Sequence, residues 1–264
     1  MQCRYKEKLI FAGDMIFGVV YPTFRRAGAR RGKFRESSET QKRLNERKST
    51  QRLVWLIHAN FGKSDYALHL TYKDGFLPES EEQFLKDIKN YIRRVGRIYA
   101  KNGLDFKYVY VWEYSETGRP HVHLVVSGGI SRDLLEDAWG MGRCNADRLQ
   151  FNECGIVDLA KYITKADRAK HARRYVCSRN LVKPAEKTNV HVWSRKQISE
   201  VEAVGNPHKR FADLYPGYWL SEFPRVEQNG VNGGIYMEFV MYKPDGDNLA
   251  AYRKRKKSEK WEKV

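Results

Sequence analysis

Three residues in one short stretch have the types and spacing of a metal-assisted reaction centre. His121 and His123 sit two apart in PHVHLVV, and Glu113 precedes them in YVYVWEY. Aromatic and β-branched residues on both sides of Ser-Glu-Thr-Gly-Arg-Pro predict a β-hairpin over Tyr108 to Val126. Side chains two apart on a strand point the same way, so both imidazoles share one side of the sheet. The hairpin then folds Glu113 back to a place opposite or diagonal to them. Two imidazoles and a carboxylate make a three-donor site with positions left open for water or substrate, as catalytic metal centres are built. A lone strand histidine is more often a hydrogen-bonded structural group; Glu113 at hairpin distance turns the reading toward a metal. Glu116 is the alternative carboxylate, but it lies in the turn and reads as solvated.

A second pair lies further on. Gly155-IVDLAKYITKADR is amphipathic, with Ile156, Leu159, Ala160 and Ile163 on one side and Asp158, Tyr162 and Lys165 on another. Tyr162 and Lys165, three residues apart, are neighbours on the helix surface and would set a nucleophile and a cation beside an anionic substrate. Alone, such a pair is weak, because a half-buried tyrosine and a solvated lysine are commoner.

The elements that must position these groups can be read from periodicity. Tyr66 to Tyr72 is a strand closed by Lys73-Asp74-Gly75. A helix follows, with start signals in Pro78-Glu-Ser80-Glu-Glu-Gln83, and Phe84, Ile88, Tyr91, Ile92, Val95 and Tyr99 form its apolar stripe until Asn102-Gly103 ends it. After the hairpin, Ser131 to Trp139 reads as a short helix broken by Gly140-Met-Gly142, and Cys144 to Phe151 as a further strand. The expected fold is α+β: a central antiparallel sheet carries the site, helix 84–99 packs on one face, and helix 158–165 lies over the site.

Outside this core, Leu9 to Val20 follows Arg4, Lys6 and Lys8 in the manner of a signal peptide, but Asp14 interrupts it and Gly13-Asp14 reads as a hairpin turn. The expected location is therefore cytoplasmic. From Pro22 to Arg52, eleven Lys/Arg face three Glu. This is a basic arm carrying Arg25, Arg26, Arg30 and Arg31, leading into a short helix capped by Ser38 and Gln41. A second basic stretch, RRYVCSRNLVKP, supplies Arg173, Arg174, Arg179 and Lys183. The last segment holds a strand in Gly234-IYMEFVMY and a basic RKRKKSEK tail. The expected domains are 1–52 as hairpin and arm, 53–184 as the site-bearing domain, and 185–264 as an accessory region.

Forty-nine Lys+Arg against 32 Asp+Glu give a net charge of +17, which favours a polyanionic partner, nucleic acid being the commonest. No apolar run reaches membrane-spanning length, and no long basic amphipathic helix points to a membrane surface. Cys3, Cys144, Cys154 and Cys177 lack Cys-x-x-Cys spacing and read as reduced thiols.

Taken in order, LHLTY at Leu68 to Tyr72, PHVHLVV at Pro120 to Val126 and KYITK at Lys161 to Lys165 resemble the three motifs of the HUH endonucleases. SRNLVKP at Ser178 to Pro184 and the basic arm are similar to the rolling-circle replication initiators of small single-stranded DNA phages and plasmids, the filamentous-phage gene II type among them. The resemblance covers Tyr66 to Pro184. It implies that Glu113, His121 and His123 hold Mg²⁺ or Mn²⁺, and that Tyr162 attacks phosphorus in single-stranded origin DNA. A 5′-phosphotyrosyl intermediate and a free 3′-OH would result, with Lys165 assisting. One turn before Tyr162 stands Asp158, so the chain resembles the single-tyrosine members. Gly62-Lys63-Ser64 falls short of a phosphate-binding loop, because Ile57 stands where that loop needs glycine. Unwinding would then fall to a host helicase and replication machinery.

Rival readings are a transposase or mobilisation relaxase of the same chemistry, a metal-independent 2H phosphoesterase, a histidine-triad hydrolase, and a plain nucleic-acid-binding module. The 2H reading takes His69-Leu-Thr71 as one motif, but His123 stands where its second copy needs Thr or Ser. The triad reading fails at Val125. A binding module leaves Glu113, His121, His123 and Tyr162 unexplained.

Overall fold

The computed structural model describes residues 4–23, 39–150, 175–203, 207–228 and 233–244. Their architecture is α+β, with two antiparallel sheets. The chain divides into two compact units, one of Met1–Lys33 with Ala185–Val264 and one of Phe34–Pro184.

The second unit is built on a five-stranded sheet. Its strands are β3 (Tyr66–Thr71), β4 (Tyr108–Tyr114), β5 (Pro120–Val126), β6 (Cys144–Arg148) and β7 (Val176–Cys177), in the order β6-β3-β5-β4-β7. Alternation divides the side chains between two faces. On one face Tyr66, Leu68, Leu70, Tyr110, Trp112, Val122, Leu124 and Val126 form a core with helix α2 (Glu81–Lys101). That helix begins as its sequence demands: Ser80 is extended, its hydroxyl accepts from the Gln83 N–H at 3.2 Å, and Glu81 and Glu82 occupy the first turn. Phe84, Ile88, Tyr91, Val95 and Tyr99 are its buried stripe, and Gly103 at φ +67° follows its end.

The opposite face changes character along its length. At one end, Ala67, Val109, Val111 and Val125 are covered by Leu53 and Ile57 of helix α1 (Glu39–His58), together with Phe61 and Leu149. Beyond that cover the same strands present His69, His121, His123 and Glu113. The basic arm thus leads into a helix of 20 residues rather than a short one, since Leu53, Val54 and Ile57 give its last turns an apolar side to bury. Helix α3 (Arg132–Asp137), capped by Ser131, and the break at Gly140 follow the expected pattern. β6 ends at Arg148, and Phe151 lies outside the described residues.

The other unit holds the N-terminal hairpin, β1 (Arg4–Ala12) and β2 (Met15–Thr23), turning at Gly13 with φ +57°. It pairs with strands from beyond Ala185: β8 (Ala185–Val190), β10 (Arg225–Gln228) and β11 (Ile235–Tyr242), in the order β10-β11-β2-β1-β8, while β9 (Trp219–Leu220) pairs with β11. Helices α4 (Arg195–Ala203) and α5 (His208–Leu214) complete it, with Ile198 and Phe211 in its core. Gly18 lies opposite Phe239, where a Cβ would fall 2.0 Å from the ring. Glu7 is buried among apolar side chains but receives hydrogen bonds from Trp193 Nε1 and Asn189 Nδ2, both at 2.8 Å, and from the Tyr215 hydroxyl.

Candidate metal and strand-transfer site

The hairpin turn sets the register on which the site depends. Ser115 N–H donates to the Arg119 carbonyl at 2.8 Å, Gly118 N–H to the Ser115 carbonyl at 2.8 Å, and Gly118 takes φ +76°. Tyr114 then pairs with Pro120, Glu113 with His121 and Val111 with His123. A slip of one residue would send both histidines to the α2 face.

On β3, the neighbour of β5 on its other side, Thr71 pairs with His121 and His69 with His123. Four chelating side chains therefore share one face of three adjacent strands. His123 Nε2 lies 2.9 Å from Glu113 Oε1, and His69 Nε2 lies 3.0 Å from His121 Nδ1. The His69 and His123 rings stack at 4.7 Å with 8° between their planes. Among the described residues no three His, Cys, Asp or Glu side chains form a ready-made metal cage; the four groups are instead tied to one another in pairs.

Burial is the main cause of the acidity of these imidazoles. It holds His69 at about 4, helped by the charges of His123, His121 and Arg143, with Glu113 opposing. His121 is lowered for the same first reason, helped by His123 and Arg119 and opposed by Glu113. Both rings are therefore neutral at physiological pH, with lone pairs to give to an ion or a proton donor.

The end of β3 is fixed by Gly142, where a Cβ would lie 2.3 Å from the Thr71 carbonyl oxygen. That close approach lets the Arg143 carbonyl accept from Thr71 N–H at 2.9 Å, while Trp139 Nε1 donates to the Thr71 carbonyl at 2.7 Å. Arg119 at the hairpin bridges to Asp74 in the loop after β3.

Of the residues singled out in the sequence, Glu113, His121 and His123 come together here. Arg179 and Lys183 are exposed in a segment fastened by Asn60, whose amide accepts from Val182 N–H at 2.7 Å and donates to the Val182 carbonyl at 2.8 Å. Arg25, Arg26, Arg30, Arg31, Tyr162, Lys165, Arg173 and Arg174 lie outside the described residues. His69 is the group that motif reading passed over as a site residue. Its one local signal is alternation, which puts Ala67, His69 and Thr71 on the side away from Tyr66, Leu68 and Leu70.

No curated protein and no solved structure matches the chain. A family model does, over residues 65–167. That span contains the whole four-residue face and, in sequence, Tyr162 and Lys165. Residues 65–167 are a domain of the replication-associated protein family of the ORF2 and gene II type.

Proposed function

We propose that the protein starts rolling-circle replication by nicking single-stranded origin DNA through tyrosine transesterification, and later rejoins the ends. The observation that carries this reading is the placing of Glu113 and His123 in contact, with His121 opposite Glu113, inside the family-matched span. The donor set suits a hard divalent ion, Mg²⁺ or Mn²⁺. Separations of 2.9 and 3.0 Å between donor atoms match the spacing of adjacent ligands, because bonds of about 2.1 Å at right angles put neighbours about 3 Å apart. Glu113, His121 and His123 would hold the ion, which when bound polarises the scissile phosphate and offsets its growing charge. The neutral imidazole of His121 favours Mn²⁺ at least as well as Mg²⁺.

In the transfer, the Tyr162 phenolic oxygen forms a bond to phosphorus as the bond from phosphorus to the 3′ oxygen breaks. The departing oxygen takes a proton and becomes the 3′-OH primer, and the 5′ phosphate stays on tyrosine. An ordinary phenol, with a pKa of about 10, is roughly one part in a thousand ionised at neutral pH, so Lys165, one helical turn on, serves to favour the phenolate. Attack by a later 3′-OH reverses the step and restores a phosphodiester without ATP. Exposed Arg179 and Lys183, with the arginines of the arm and Arg173 and Arg174, meet the backbone phosphates. A host helicase supplies unwinding.

The test is a denaturing gel of origin-bearing single strands incubated with protein and Mn²⁺ or EDTA. A covalent protein–DNA band is expected with Mn²⁺, absent with EDTA and absent for Tyr162→Phe. Cleavage that survives Tyr162→Phe would reassign the nucleophile, and binding without cleavage would leave a plain binding module.

A further inference from the structure

We infer that His69 is a positioning residue that fixes the tautomer and ring orientation of His121, so that His121 meets the ion through Nε2. This rests on the metal reading given above. The argument begins with the contact at 3.0 Å between His69 Nε2 and His121 Nδ1. Two ring nitrogens at that distance share one proton, since two lone pairs would repel and two N–H groups would clash. A neutral imidazole has one protonated and one free nitrogen. For His121 to keep a lone pair for an ion while Nδ1 faces His69, the shared proton must sit on His121 Nδ1 and be donated to His69 Nε2. His121 Nε2 is then the free atom. The opposite assignment would put the His121 proton on Nε2 and close that atom to a metal.

Backbone geometry holds His69 to this task. It stands directly across from His123 on the paired strand, and the two rings lie parallel within 8° at 4.7 Å, so ring packing fixes its plane. Its own outer neighbour on β6, Asn145, is turned away, with its amide donating to Asp147 at 2.9 Å. The acceptor that orients a ligating histidine is commonly a carboxylate or a backbone carbonyl. Here the one carboxylate at hand, Glu113, meets His123. An imidazole on the next strand does for His121 what a carboxylate does elsewhere.

The experiment uses the full chain and Mn²⁺ alone. Free Mn²⁺ is followed by its electron paramagnetic resonance signal during titration, and nitrogen couplings to the bound ion are counted by pulsed methods. His69→Leu is expected to weaken Mn²⁺ binding about 10- to 100-fold, the usual cost of losing a residue that orients a ligand. His69→Gln, whose side-chain oxygen can accept the same proton, is expected to recover most of that loss, and a thermal melt of each variant checks the fold. Two histidine nitrogens are expected on the ion in the wild type and in His69→Gln. Three in the wild type, falling to two in His69→Gln, would make His69 a direct ligand and overturn the proposal. Unchanged affinity in His69→Leu, with binding lost in His123→Ala, would overturn it while leaving the metal reading intact. No Mn²⁺ uptake by the wild type would overturn both.

Discussion

At the scale of single residues, spacing revealed the site's chemistry but not its full membership. His121, His123 and Glu113 could be joined from sequence because one hairpin relates them, and hairpin pairing is a local property. His69 could not, since the pairing of β3 with β5 joins segments more than 50 residues apart and leaves no mark on either. The choice of carboxylate was legible: Glu113 pairs with His121, while Glu116 is exposed in the turn. Replacing each by its amide tests this choice. Glu113→Gln keeps shape and a hydrogen-bond partner for His123 but removes the one negative charge among the four groups. Mn²⁺ affinity should fall at least about 100-fold, beyond the cost of losing an orienting group, whereas Glu116→Gln should bind as the wild type does. Equal affinity in both variants would remove Glu113 from the ligand set.

At the scale of elements, helices with a strong stripe and a clear cap were legible, and α2 matches its reading from Ser80 to Gly103. Helix α1 was under-read because its first half is charged throughout, so the basic run concealed the apolar positions at Leu53, Val54 and Ile57. Strand β8, AEKTNV, has no apolar alternation at all and gains its form from pairing with β1. The last turn of α1 carries His58, buried with only 6 % of its surface exposed and lowered by that burial to about 4. The sign of its effect on stability follows from linkage. Between pH 6.5 and about 4 the unfolded chain binds a proton that the folded chain refuses, so stability falls as pH falls through that window. The shift corresponds to about 3 kcal/mol at the acid end. Denaturant unfolding in EDTA, from about pH 7 to about pH 4.5, should show a shallower loss for His58→Gln than for the wild type. His69 adds to the slope with the same sign in both proteins, so the difference reports His58. Parallel curves would show that this histidine does not titrate as its burial implies.

At the scale of the whole molecule, the excess of 17 positive charges was plain in the composition, and among the described residues no helix is long and apolar enough to cross a membrane. The partnership of the N-terminal hairpin with strands beyond Ala185 was not legible, because β1 and β11 each lie beside β2, and the pairing of β11 with β2 spans most of the chain. Charge makes a prediction that needs none of that detail. Each phosphate neutralised on a single strand releases counterions, so the logarithm of the binding constant falls against the logarithm of salt with a slope of about −0.7 per contact. If Arg25, Arg26, Arg30 and Arg31 grip the backbone, replacing all four by alanine should make the slope shallower by about 3. Replacing exposed Arg179 and Lys183 should change it by about half as much. Both losses should be the same on origin and on unrelated sequence, since phosphate contacts position a strand without reading it. Fluorescence anisotropy with labelled oligonucleotides across a salt series measures all three slopes. An unchanged slope in the fourfold variant would make the N-terminal arm a solvated loop and leave the charge that holds the strand to Arg179, Lys183 and their neighbours.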